Sequence, residues 1–315
     1  MAHQIETMAY FGKLPWHGLG TQLAEEDLYD WQKACSKAGL DWEAEKVPLV
    51  TEDTHVKVDH VAIRRMTDGK ILGTVGARYT ILQNRNAFAW FQPFLETKEA
   101  SLHTAGSLQE GSRIWVLAKL NRDPLTIAPG DDVEKFILLS HSHDGTLAVR
   151  VGFTPIRVVC ANTLAVAHTD TSSKLIRFKH TRDIHENLEN IREVMNLANQ
   201  EFEATAEQFR RLARKTVNLS DLRNYVKIVL KIDDADKAST RSKNIMEEMV
   251  ALCLCGKGND LPAVRGTLWA AYNGVTEWLA YHRGHDDSNR LNSLWFGDSA
   301  NTNRHALETA LAMAT

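Results

Sequence analysis

Apolar positions recur with three different spacings along the chain. Between Glu25 and Gly39, Leu28, Trp31, Ala34, Cys35 and Ala38 fall at three- and four-residue intervals. That spacing predicts one helical face, with Gly39 as its stop. From Lys46 to Phe153 the period is two. Val56 and Val58 alternate, then Val61 and Ile63 in the opposite phase, and an extra residue near Asp59-His60 reconciles the two. Asp68-Gly69 reads as a hairpin turn, because both residues tolerate positive φ. Ile71 to Leu82 reads as strand. Asn84 to Leu95 returns to helical spacing through Ala87, Phe88, Phe91 and Leu95. Leu102 to Leu120 is a hairpin turning near Glu110-Gly111, and Glu134 to Phe153 is another turning at Asp144-Gly145. In its second strand Leu147, Val149, Val151 and Phe153 share one face, so Arg150 points to the other, among small residues.

After Thr181 the pattern is helical again. Ile184, Leu188, Ile191, Met195, Ala198, Phe202, Phe209 and Leu212 form one stripe, with no Gly or Pro from Thr181 to Lys215. This predicts a helix of roughly 45 Å, with Asp183 and Glu186 as a capping pair. Shorter helices are expected at Ser220–Lys231, Arg241–Leu254, Gly266–His282 and Arg304–Met313, with Trp269, Trp278 and Trp295 in their core. The fold class is therefore α+β: an antiparallel β-hairpin sheet packed with helices, followed by a long helix and a C-terminal helical region. Three segments are expected: an acidic N-terminal stretch with a turn and a helix (1–45), a sheet-rich core (46–180) and a helical region (181–315).

Composition narrows the class. With 43% apolar and 24% charged residues in 315, the chain is neither disordered nor collagen-like. Four cysteines are too few for a disulfide scaffold, which points to a reducing cytoplasm. No apolar run reaches a membrane span, and the first residues lack a signal-peptide pattern. The net charge of −3 gives no global pull toward polyanions. It conceals an asymmetry, however. Residues 1–59 carry eleven acidic and five basic side chains, whereas residues 150–182 carry six basic ones against Asp170 alone.

Few strings carry chemistry. Phe11 to Gly20 is a Gly-rich turn around Trp16, without the Gly-Lys-Ser/Thr ending of a phosphate loop. His141-Ser142-His143-Asp144 has the composition of a metal site, but its Asp belongs to the Asp-Gly turn and no second ligand group matches it. Cys253 and Cys255 with His282 and His285 can be drawn as a zinc set, although Cys-x-Cys spacing is unusual and Cys253 lies on a core stripe. No nucleophile elbow is present. Neither a catalytic constellation, a metal nor a nucleotide cofactor is expected. The basic segment remains. Arg150, Arg157, Lys174, Arg177, Lys179 and Arg182 gather where sheet gives way to long helix, and Arg78, Tyr79 and Arg113 on other strands join the same surface. Cations along a groove hold a phosphate backbone and aromatic rings stack on bases, as in single-strand binding; a solvated basic face without a ligand is the plain alternative.

Trp16-His17-Gly18-Leu19-Gly20-Thr21, Gly76-Ala77-Arg78-Tyr79, Ala105-Gly106-Ser107-Leu108 with Gly111 and Trp115, Ser142-His143-Asp144-Gly145 and Arg157 to Leu164 resemble the phage/plasmid-like protein family. This is a family of unknown function carried by prophages, phages and plasmids. The resemblance extends to Gly266-Thr267-Leu268-Trp269 and Phe296-Gly297. It implies a mobile element in a bacterial cytoplasm and brings no catalytic residues. Hairpins over helices with a basic seam are also similar in outline to phage single-strand annealing proteins of the RecT and Red-beta kind. That likeness implies single-stranded DNA as partner, ring or filament homo-oligomers, ATP-independent strand annealing in recombination, and a host replication or recombination protein as a further partner. The alternatives are a metal-dependent nuclease using His141, His143 and Asp144, or an anti-restriction or host-interaction protein docking through the acidic N-terminal part.

Overall fold

A computed structural model of the chain describes residues 5–12, 19–157, 176–180, 191–234, 237–283 and 290–315. It divides into two compact units, each assembled from separated stretches. The first takes in Met1–Arg122, Phe136–Gly152 and Leu175–Leu197; the second takes in Asp123–Lys135, Phe153–Lys174 and Ala198–Thr315. The α+β class holds, with a helical C-terminal region.

In the first unit, β1 (Ile5–Tyr10), β2 (Thr21–Gln22), β6 (Ala100–Leu108), β7 (Arg113–Leu120), β9 (Asp131–Ser142), β10 (Val149–Arg157) and β11 (Ile176–Phe178) form a sheet ordered β11-β10-β9-β7-β6-β1-β2. Only the latter part of β9 and the earlier part of β10 belong to this unit. The first strand comes from the acidic segment and pairs antiparallel with β6, Met8 opposite Gly106. Its parallel pairing with the two-residue β2 has no periodic signature. The β6–β7 and β9–β10 hairpins turn where Glu110-Gly111 and Asp144-Gly145 predict. Leu147, Val149, Val151 and Phe153 are all buried, as alternation requires.

Gly106 shows why its string is composed as it is. It lies opposite Trp115 in the β6–β7 ladder. A Cβ there would stand 2.3 Å from the indole and 2.4 Å from the Thr7 carbonyl oxygen. Only a residue without a side chain lets the indole lie across the strand.

A second sheet contains β3 (Ala44–Val50), β4 (Lys57–Arg65) and β5 (Ile71–Gly76). Here the irregularity expected near Asp59-His60 is present on the β3 side of β4. Against β3, Pro48 faces Val61 and Val50 faces Lys57, so the extra residues of β4 fall within Val58–His60; a second shift lies at Ile63/Arg64 against β5. Lys57 to His60 are all exposed, so Val58 has no core phase to keep. The strand expected to run from Ile71 to Leu82 ends at Gly76, where the Tyr79 N–H turns back to the Gly76 carbonyl at 2.9 Å.

Two expected helices are interrupted. Glu25–Tyr29 is a 3₁₀ turn and α1 spans Trp31–Lys37, divided at Asp30, whose carboxylate accepts the Lys33 N–H. The Asn84–Leu95 stripe splits into α2 (Asn84–Ala89) and α3 (Gln92–Glu96), the latter with Pro93 in its first turn. A proline has no N–H to continue the ladder and suits a helix start. Ala87, Phe88, Phe91 and Leu95 are nevertheless all buried.

The second unit holds β8 (Leu125–Ala128), which pairs with the opening of β9, and the C-terminal helices. These are α4 (Ile191–Arg214, of which the first turns count with the first unit), α5 (Leu219–Val229), α6 (Thr240–Cys255), α7 (Leu268–Glu277), α8 (Arg290–Phe296) and α9 (Asp298–Met313). The predicted start of the long helix, with Asp183 and Glu186, lies outside the described residues. Phe209 of α4 packs on Trp269 with ring centroids 4.7 Å apart. The Trp269 indole N–H donates to the buried Asp131 carboxylate at 2.7 Å. Trp269, Trp278 and Trp295 are core residues, as expected. The α7 helix ends in a π-turn over Trp278–His282 rather than continuing as α-helix. No helix among the described residues is long and apolar enough to cross a membrane.

Candidate functional site

Among the described residues, β11 ends one side of the main sheet order and pairs antiparallel with β10. Their register sets Arg150 directly opposite Arg177. Residues directly opposed across a ladder occupy the same face of the sheet. Lys179 follows the strand and is exposed. The turn after β5 is bound to the same place. The Thr80 N–H donates to the His180 carbonyl at 2.9 Å, and His180 Nδ1 donates to the Thr80 carbonyl at 3.0 Å. The Tyr79 ring stacks on His180, centroids 4.4 Å apart and 18° from parallel. Arg78, one residue before Tyr79, and Lys179, one residue before His180, are both exposed. Arg113 on β7 stands opposite Ser142 on β9 and donates to the Thr146 hydroxyl at 3.2 Å.

Six of the nine predicted residues thus belong to one unit and to connected parts of it: Arg78, Tyr79, Arg113, Arg150, Arg177 and Lys179. Arg157 ends β10 within the other unit. Lys174 and Arg182 lie outside the described residues. Tyr79 is engaged on two sides, since its hydroxyl also donates to the Ser142 carbonyl at 2.5 Å. Burial pushes its pKa well up, and the nearby Asp144 carboxylate adds to this. Its ring serves as a buttress here, not as an open stacking platform.

Behind this edge is a group of imidazoles that the sequence reading only half anticipated. His141 and His143 are fully buried, and their ring centroids are 5.0 Å apart. His180 closes the group at 6.2 Å from His141. His143 Nε2 donates to the Asn84 side-chain oxygen at 2.9 Å, and Trp42 packs on the ring at 5.3 Å. Among the described residues, neither ring nitrogen of His141 has a partner in hydrogen-bond geometry, nor has His143 Nδ1. Burial, then the neighbouring imidazoles, holds His141 far below an ordinary histidine pKa. Burial likewise pulls His143 down to about 3, with His180 as the next cause. His180 is lowered too, again mainly by burial. At neutral pH all three are therefore uncharged, and the positive potential of this edge comes from its arginines and lysines.

Asp144 accepts from the Thr146 N–H at 2.8 Å and from its hydroxyl at 2.6 Å, closing the turn. His141 and His143 offer no open face to a phosphodiester. Among the described residues, no group of three or more His, Cys, Asp or Glu side chains is arranged to hold a metal ion. The drawn zinc set is likewise dispersed. The Cys253 thiol donates to the Ala271 carbonyl, Cys255 is exposed, His282 bonds to Glu248, and His285 lies outside the described residues.

His180, Asn84 and Trp42 were not singled out by sequence, and nothing in their spacing marks them. The short motif strings were the better signal, because they meet here. A Cβ on Gly73 would stand 2.4 Å from Asp144 Cα, so the Asp144-Gly145 turn packs directly on β5. The model of a domain of unknown function, DUF932, matches residues 71–295, a span that contains this whole edge. No curated protein and no solved structure matches the chain.

Proposed function

We propose, from the premise that this chain belongs to the DUF932 family, that it binds single-stranded DNA along the β10–β11 edge and promotes annealing without a nucleotide cofactor. The observation that carries this reading is the register of Arg150 against Arg177. A phosphate laid along this pair of ladder positions takes a charge-assisted contact from each arginine. Arg78 and Lys179 extend the positive rim beyond the strand ends, and Arg113 adds to it from β7. Arg157, Lys174 and Arg182 continue the same basic segment in sequence. Phosphate contacts hold the backbone and leave base edges available, so pairing itself supplies the free energy of annealing. The imidazoles behind the edge keep it uncharged internally and firmly packed. We place the activity in mobile-element recombination in a bacterial cytoplasm. The protein there acts as a ring or filament of identical chains, with a host replication or recombination protein as a possible further partner.

The test is the mobility of a labelled oligonucleotide with micromolar full-length protein, titrated with salt, alongside ATP-free annealing of complementary strands. Each phosphate contact contributes about 0.7 to the slope of log affinity against log salt for single strands. The double substitution Arg150→Ala and Arg177→Ala is therefore expected to lower that slope by about 1.4 and to slow annealing. An oligonucleotide that runs unshifted at low salt, or a double variant indistinguishable from wild type, refutes the reading.

A further inference from the structure

The second unit contains an open cleft of about 1030 Å³, walled by the end of α5, the first turns of α6 and α9, and the π-turn after α7. Its size is that of a small-molecule site. Leu230, Ile232 and Ile245 give it an apolar floor, and Lys231, Arg241 and Arg283 stand around it. The π-turn places the acidic groups. Trp278 Nε1 donates to Glu248 Oε2 at 2.9 Å, and His282 Nδ1 meets Glu248 Oε1 at 3.1 Å. Both oxygens of that carboxylate are thus engaged. Single π-turns within α-helices recur at functional sites because they re-aim side chains in this way.

Arg283, directly after the π-turn, is the informative residue. Among the described residues its guanidinium is half-buried and donates to hydroxyls, Ser299 Oγ at 3.2 Å and Thr302 Oγ1 at 3.4 Å, rather than to a carboxylate. Burial lowers its pKa, with Asp298 only partly offsetting this. Lys231 and Arg241 likewise have no carboxylate within ion-pair distance among the described residues. A half-buried cation held by neutral oxygens, with two more cations on the same cleft, has the composition of an anion receptor rather than of an internal salt bridge.

We infer that this cleft binds an amphipathic organic anion, its acidic group held by Arg283 and Arg241 and its apolar body lying on Leu230, Ile232 and Ile245. The ligand class is a carboxylate, sulfonate or phosphate attached to an aromatic or aliphatic body. Inorganic anions would lack the apolar half of the interaction, and neutral hydrophobes the charged half. The site is separate in sequence and in unit from the β10–β11 edge and does not depend on DNA binding.

The full-length protein is titrated with 8-anilinonaphthalene-1-sulfonate and, in parallel, with the uncharged N-phenyl-1-naphthylamine, following dye fluorescence. One saturable site for the sulfonate is expected, with the neutral dye roughly ten-fold weaker. Arg283→Gln and Arg241→Gln are each expected to weaken the sulfonate roughly ten-fold and to leave the neutral dye unchanged. Because Arg283→Gln alters a half-buried position, Arg241→Gln at the exposed start of α6 is the decisive variant if the first unfolds, with unfolding midpoints recorded for both. Equal affinity for the two dyes, a sulfonate affinity unaffected by Arg241→Gln, or binding that never saturates overturns the inference.

Discussion

Among the described residues, both ring nitrogens of the buried His141 lack hydrogen-bond partners, and two further imidazoles lie beside the ring. A group whose folded pKa is depressed in this way stabilises fully above the unfolded value near 6.5. That contribution is lost as pH falls toward the folded value. For His143, held to about 3, the loss between pH 6.5 and pH 5 is about 2 kcal/mol, an order-of-magnitude figure. Urea unfolding at pH 8, 6.5 and 5 is expected to show stability falling across the lower interval and flat across the upper. His141→Leu removes a buried group with no partner and one of the protonation sites. It is expected to be neutral or stabilising by about 1 kcal/mol at pH 8 and to flatten the acid side. Gly106→Ala works in the opposite direction, because its methyl would overlap the Trp115 indole and the Thr7 carbonyl. A loss of roughly 2–3 kcal/mol in the same assay is expected. Of these residues the sequence marks Gly106, His141 and His143 through their strings. It does not mark His180 or Asn84, because a partner distant in sequence leaves no local spacing to read.

Arg65 ends β4 and holds elements of both sheets in the first unit. Its guanidinium donates to Glu6 on β1 at 2.9 and 3.0 Å and to Asp68 at 2.7 and 2.9 Å, and it lies 5.2 Å from the Trp42 ring. These carboxylates raise its already high pKa, so it stays charged. Removing one member of a mostly buried charge network strands the others. Arg65→Met is expected to cost about 3–5 kcal/mol, read as a lower urea midpoint. The element pattern was largely legible where an apolar face meets a core, as in the β6–β7 and β9–β10 hairpins and the stripe from Ala87 to Leu95. It failed where local chemistry overrides periodicity. Asp30 starts a new helix within an unbroken stripe, Pro93 divides another, and Val56 and Val58 alternate at an exposed strand end that has no core to face.

Across the molecule, charge is sorted more sharply than the net value of −3 implies. The acidic first 59 residues supply β1, and the basic segment supplies the opposite end of the same sheet order, at β10 and β11. A chain so divided is expected to bind polyanions with a steep salt dependence although its overall charge is negative. Increasing salt from about 50 to 200 mM should release a bound oligonucleotide while leaving the unfolding midpoint nearly unchanged. The three-segment division predicted from sequence followed local composition. The compact units instead follow strand pairings between distant residues, such as Met8 with Gly106, and composition carries no record of those.

The first unit is completed only by Leu175–Leu197, far downstream of its opening strand. During synthesis the β6–β7 hairpin can form early, yet β10 waits for β11, and the turn at Thr80 waits for His180. A nascent chain halted before this stretch therefore exposes an unpaired strand to any neighbouring chain. The histidine that seals the imidazole group is also among the last parts of the unit to leave the ribosome, so the finished interior marks a chain translated past that point.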